Sequence, residues 1–147
     1  MSGLWFSIFA VLAGVSLTLQ SGVNSQLREV LNNPFQAGFV SFVVGALALG
    51  VYTFSQRLPW PISSAMSAPW WIWTGGLLGA FLVTSIVFVA PRIGATALVA
   101  LIITGQMLTA LTLDHFGLLG FEVHPVRWQR ILGVAFLMVG AIFIRKF

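Results

Sequence analysis

GATALVALIITGQMLTALTL, residues 94–113, contains no lysine, arginine, aspartate or glutamate. At about 1.5 Å per residue, a helix of this stretch covers roughly 30 Å, the thickness of a bilayer's hydrocarbon. Within it Ala97–Ile103 reads ALVALII without interruption, whereas a membrane β-strand alternates apolar with polar residues. In hydrocarbon every backbone amide must be bonded internally, so an unbroken apolar run that is not a barrel strand has to be a helix.

Working outward, Leu4–Val23, Phe35–Phe54 and Trp70–Ala90 are equally free of charge, and a shorter run, Ile131–Ile144, completes the set. Hydrophobic residues make up 59% of the 147, charged ones 7%, and the mean hydropathy is +1.00. Too few polar side chains remain to present this apolar surface to water. The chain therefore reads as an all-α integral membrane protein, one domain over residues 1–147, with five transmembrane helices at about 4–30, 35–54, 70–90, 94–113 and 128–145. No segment is left for a soluble catalytic domain, which puts any function between helices or between copies.

Stop and start signals agree with this division. Asn32, Asn33 and Pro34 end the first helix and open the second, proline being favoured at a first helical position behind an asparagine cap. Ser55–Ala68 reads as a loop, Pro69 opens the third helix, and Ala90-Pro91-Arg92-Ile93-Gly94 reads as a tight turn. Phe116–Arg130 reads as a mixed loop. Trp70, Trp71, Trp73, Trp5 and Trp128 stand where an aromatic belt belongs, with pocket walls as their second reading. The final apolar run is the shortest, and Arg127, Arg130, Arg145 and Lys146 can snorkel to the headgroups at its ends. Met1–Gly3 lacks the charged start of a cleavable signal peptide, so the first helix is expected to stay. With no cysteine, disulfides and thiol chemistry are excluded.

The net charge of +4 comes from residues placed singly or in pairs at helix ends, the usual headgroup contact, so nucleic acid is not an expected partner. Five crossings put Arg57, Arg127 and Arg130 on the N-terminal side and Arg28, Arg92, Arg145 and Lys146 on the other. Orientation follows such differences, and one this small predicts dual insertion or a weak lean toward a cytoplasmic C-terminus.

Candidate chemistry is sparse. Gln20 and Asn24 share a helix face, and Gln106 lies mid-helix. Their amides either bind a neutral or zwitterionic solute in a cavity, without the cost of a buried charge, or bond one helix to another. Asp114 ends a helix where the macrodipole disfavours an anion, so it calls for a cationic partner among His115, Arg127 and Arg130. The group is then an ion pair or a proton or ion relay. Arg92 is a headgroup anchor or an attractor of anions. His115 and His124 lack further clustered ligands, so no metal or other cofactor is expected. No nucleophile and base come together in the sequence, and catalysis is not expected. Small residues line helix faces: Gly3, Ser7, Ala10, Gly14, Thr18, Ser21 and Ser25; Gly38, Ser41, Gly45 and Ala48; Gly75 and Gly79; Gly133 and Gly140. Such stripes let backbones approach, within the chain or, for Gly133 and Gly140, against a second copy.

These features together resemble the drug/metabolite transporter superfamily, and most closely its short five-helix bacterial branch, the YdcZ family of inner membrane exporters. The resemblance rests on Gln20 with Asn24, Asn33-Pro34, Pro91-Arg92-Ile93-Gly94, Asp114-His115-Phe116-Gly117, and Gly133 through Gly140-Ala141, in this order over nearly the whole chain. It implies a multi-pass protein of the bacterial inner membrane that moves a small-molecule substrate. The last helix also looks like the dimerisation helix of small multidrug resistance proteins, which implies an antiparallel homodimer or a heterodimer with an oppositely oriented paralogue. Those proteins carry a carboxylate in the first helix. Met1–Leu27 has none, with Gly14 about where it would stand, so proton-coupled export of cations does not carry over. The rival reading is a non-transporting membrane scaffold or lipid-binding assembly partner.

Overall fold

The computed structural model describes residues 2–147. Its helices are α1 (Ser2–Leu31), α2 (Pro34–Ser55), α3 (Ile62–Met66), α4 (Gly75–Ile93), α5 (Ala95–Phe116) and α6 (Trp128–Lys146). A 3₁₀ segment, Trp70–Thr74, leads directly into α4. Five stretches are long and apolar enough to cross a membrane: Gly3–Leu31, Pro34–Ser55, Trp70–Ile93, Ala95–Phe116 and Trp128–Lys146. The last has 19 residues, about 28 Å of helix. It extends beyond the apolar run because Trp128 and Lys146 are amphipathic ends that belong at the headgroups.

The start of α2 follows from its sequence. Asn33 is extended (φ −153°, ψ 120°), and its side-chain oxygen accepts from the amides of Phe35 at 2.8 Å and Gln36 at 3.2 Å. Those are two donors that a helix start leaves unpaired, and Pro34 has none to satisfy.

Two boundaries differ from the sequence expectation. The loop after α2 contains the five-residue α3, too short and too weakly patterned to show in the hydrophobic periodicity. The expected turn from Pro91 onward is helical, since α4 runs through Pro91 to Ile93. A proline near a helix C-terminus removes a single hydrogen bond, so helix survives there. The break falls at Gly94, whose φ of +81° suits only glycine, and α5 begins at Ala95.

The chain forms two compact units, one ending at Pro91 and the other spanning Arg92–Phe147. In the first, Ala37 of α2 packs with Val83 and Val87 of α4, and Leu27 of α1 lies against them. Two glycines make close approach possible. A Cβ on Gly38 would stand 3.1 Å from Thr84 Oγ1, and one on Gly79 would stand 3.2 Å from the Phe42 ring. The second unit is a hairpin of α5 and α6, with Val134 and Ala141 of α6 buried. Its connection turns at Gly117, in the left-handed region, whose amide donates to the Leu113 carbonyl. Any side chain there would also meet Val123 Cγ2 at 2.6 Å.

Large apolar side chains dominate the outward faces: Phe9, Phe39, Phe81 and Phe136 are each about 70% exposed. Such faces suit hydrocarbon and not water. For Gly14, Gly45, Gly75, Gly133 and Gly140, an added Cβ would meet no described atom within 4 Å. Of these seven glycines, close packing against another helix explains Gly38 and Gly79 alone.

Candidate functional site

In the first unit the polar residues of α1 divide between a groove and the interior. Gln20 lines a cavity of about 270 Å³ with Ser41, Phe42, Gly45, Ala46 and Leu49 of α2. Asn24, one turn on, is buried at 4% exposure, as is Ser21 at 5%. The two amides share a helix face, yet only Gln20 reaches the groove. Leu27, three residues beyond Asn24, packs against the Ala37 cluster.

Ser25, read from the sequence only as a member of a small-residue stripe, stands apart from the other hydroxyls of α1. Its Oγ is buried with no hydrogen-bond partner among the described residues. Ser7 and Thr18, on the same small-residue stripe, donate to the carbonyls four residues earlier, at 3.0 and 3.2 Å. The stripe was the available signal, and it does not separate a hydroxyl satisfied by its own helix from one left open. A further cavity of about 480 Å³ lies between the start of α2 and α4, lined by Pro34, Phe35, Ala80, Phe81, Thr84, Ser85 and Phe88.

In the second unit Gln106 sits mid-α5 with its side chain exposed. Eight residues on, the Asp114 carboxylate accepts from Arg130 Nη1 at 3.0 Å, the two side chains being 32% and 42% exposed. Each charge stands at the unfavourable end of its own helix dipole, the anion at the C-terminus of α5 and the cation in the first turn of α6. Pairing offsets both. At this exposure the pair contributes at most about 1 kcal/mol.

His115 has a different task from its neighbour. Its Nδ1 accepts from the Val126 amide at 3.2 Å, which places the ring proton on Nε2, and its ring meets Phe116 edge-on at 4.6 Å. The Asp114 carbonyl accepts from the His124 amide at 2.7 Å, and His124 Nδ1 lies 3.1 Å from the Glu122 carbonyl. The α5–α6 connection is thus a bonded cap, not a loose loop. Below the ion pair runs a groove of about 400 Å³, lined by Met107, Ala110 and Leu111 of α5 and by Gly133, Val134 and Leu137 of α6.

A nearly charge-free apolar body, amides and hydroxyls on helices long and apolar enough to cross a membrane, and an ion pair at a helix end together define a multi-pass helical membrane protein. Residues 5–143 match the model of a family described as "Putative inner membrane exporter, YdcZ". The chain belongs to that family, and it is a multi-pass inner membrane protein. No curated protein and no solved structure matches it.

Proposed function

We propose that the chain exports a small neutral or zwitterionic organic solute by alternating access, acting as a dimer with its copies antiparallel. The groove between α1 and α2 carries this reading. It offers the Gln20 amide and the Ser41 hydroxyl beside an apolar wall, with Asn24 and Ser21 buried within a turn. Few polar groups in an apolar cleft are the usual make-up of a small-molecule site. They supply hydrogen bonds without a formal charge, so the substrate needs no fixed charge.

The dimer is proposed on size and on Gly140. A cleft of about 270 Å³ is small for a gated pathway. Two inverted copies would supply ten helices and a path that opens to either side. Gly140, uncrowded by the described residues, would meet a second copy, either this chain or an oppositely oriented paralogue, while Gly133 lines the groove between α5 and α6. The near-even split of Lys and Arg supports insertion in both orientations. Asp114 with Arg130 is assigned a structural role, His115 supporting it by holding the loop.

The test is a binding screen of neutral, cationic and anionic metabolites on purified protein, followed by Gln20→Leu and Gln106→Leu. Loss of one hydrogen bond to a neutral group costs about 0.5–1.5 kcal/mol, up to roughly tenfold in affinity. Unchanged affinity in both variants, with Asp114→Asn abolishing uptake into liposomes, would move the site to the end of α5.

A further inference from the structure

We infer that the α5–α6 groove holds a bilayer phospholipid whose zwitterionic headgroup carries a primary ammonium, as in phosphatidylethanolamine. The ammonium sits on Asp114, the phosphate on Arg130, and an acyl chain lies along Ala110, Leu111, Val134 and Leu137. This site is separate from the solute groove on α1 and α2, and it stands whether or not that groove carries a substrate.

The lining is polar at one end alone. From Asp114 to Met107 the wall of α5 descends seven residues, about 10 Å toward the membrane interior, and every lining residue below the ion pair is apolar. A hydrophilic solute would have nothing to bond over most of that length, whereas an amphiphile matches both parts. The head of the groove has bonding capacity left. Arg130 uses Nη1 for both its bonds, to Asp114 at 3.0 Å and to the His124 carbonyl at 3.5 Å, out of five N–H donors on a guanidinium. The Asp114 bond engages Oδ2, leaving Oδ1 as an acceptor.

Charge complementarity selects the occupant. An anion and a cation 3.0 Å apart present opposite charges side by side, and a headgroup with adjacent ammonium and phosphate meets them in the same order. A primary ammonium donates up to three hydrogen bonds to carboxylate or water, and a quaternary choline donates none. A phosphatidylglycerol headgroup brings no cation and sets its phosphate near the carboxylate.

The experiment titrates phosphatidylethanolamine, phosphatidylcholine and phosphatidylglycerol separately into the purified full-length protein in detergent, counting bound lipid by native mass spectrometry. Phosphatidylethanolamine is expected to bind at least tenfold more tightly than the other two. Ala110→Leu, which fills the groove from α5, and Asp114→Asn, which keeps a hydrogen bond to Arg130, should each remove that preference, while Phe9→Leu, on an exposed face of α1, should leave it intact. Equal affinity for the three lipids in the wild type overturns the assignment without recourse to any variant. So does a preference that survives Ala110→Leu, or a dimer that forms as phosphatidylethanolamine is displaced, which would give the groove to a second copy.

Discussion

Replacing Gly38 with alanine places a Cβ 3.1 Å from Thr84 Oγ1, tighter than ordinary van der Waals contact by a few tenths of an ångström. Two effects oppose each other. Alanine is favoured over glycine in a helix interior by about 0.5–1 kcal/mol. Overpacking a buried contact costs about 1–3 kcal/mol, and a single atom displaced by so little belongs at the low end, about 1 kcal/mol. Gly38→Ala should therefore be nearly neutral. Gly45→Ala, on the same helix with open space around its Cβ, should stabilise by the full propensity term. Removing the crowded oxygen separates the terms: in a Thr84→Ala background, Gly38→Ala should become as stabilising as Gly45→Ala, giving a coupling of about 1 kcal/mol. Reversible unfolding in mixed micelles of dodecyl maltoside and sodium dodecyl sulfate would measure the four-membered cycle. Additivity within about 0.3 kcal/mol would refute the close approach of α2 to α4 at this point.

Two further outcomes concern assembly. Gly140→Leu should weaken or abolish the dimer, read by cross-linking in lipid and by mass in detergent, since a leucine holds two backbones apart; a wild-type oligomer in this variant would remove the intersubunit role. Lysines at Ser64 and Ser67, exposed positions on the α2–α4 connection, should drive the N-terminus to the cytoplasm, as scored by terminal reporter fusions; one fixed orientation in the wild type, unmoved by the lysines, would count against dual insertion.

The helices were legible because their signal is physical and long: charge-free runs of membrane length admit one backbone solution. The start of α2 was legible for a local reason, a capping asparagine followed by proline. The end of α4 was not, because Pro91 announces a turn while the positive φ that ends the helix belongs to Gly94. Among candidate site residues, the sequence called for a cation beside Asp114, and three candidates stood near. Choosing Arg130 needed the hairpin geometry that brings the first turn of α6 to the last turn of α5. Gln20 and Asn24 looked equivalent by spacing. They separate in burial, Asn24 being 4% exposed and Gln20 open to the groove, a tertiary fact that helical periodicity does not carry. Ser25 was concealed in a stripe whose other members were legible only as small.

The central claim is that the polar groups of the transmembrane helices meet water on a solute pathway. The native chain has no cysteine, so single cysteines can be placed without background. Gln20→Cys, Gln106→Cys and the apolar, outward-facing Leu19→Cys, whose parent side chain is 66% exposed, would be treated in sealed liposomes with a water-soluble, membrane-impermeant thiosulfonate. A transport pathway predicts modification at positions 20 and 106 and none at 19, since a thiol in hydrocarbon neither ionises nor meets the reagent. If the cysteines at 20 and 106 stay as unreactive as the one at 19, the amides are dry contacts between helices, and the transport reading of this site is contradicted.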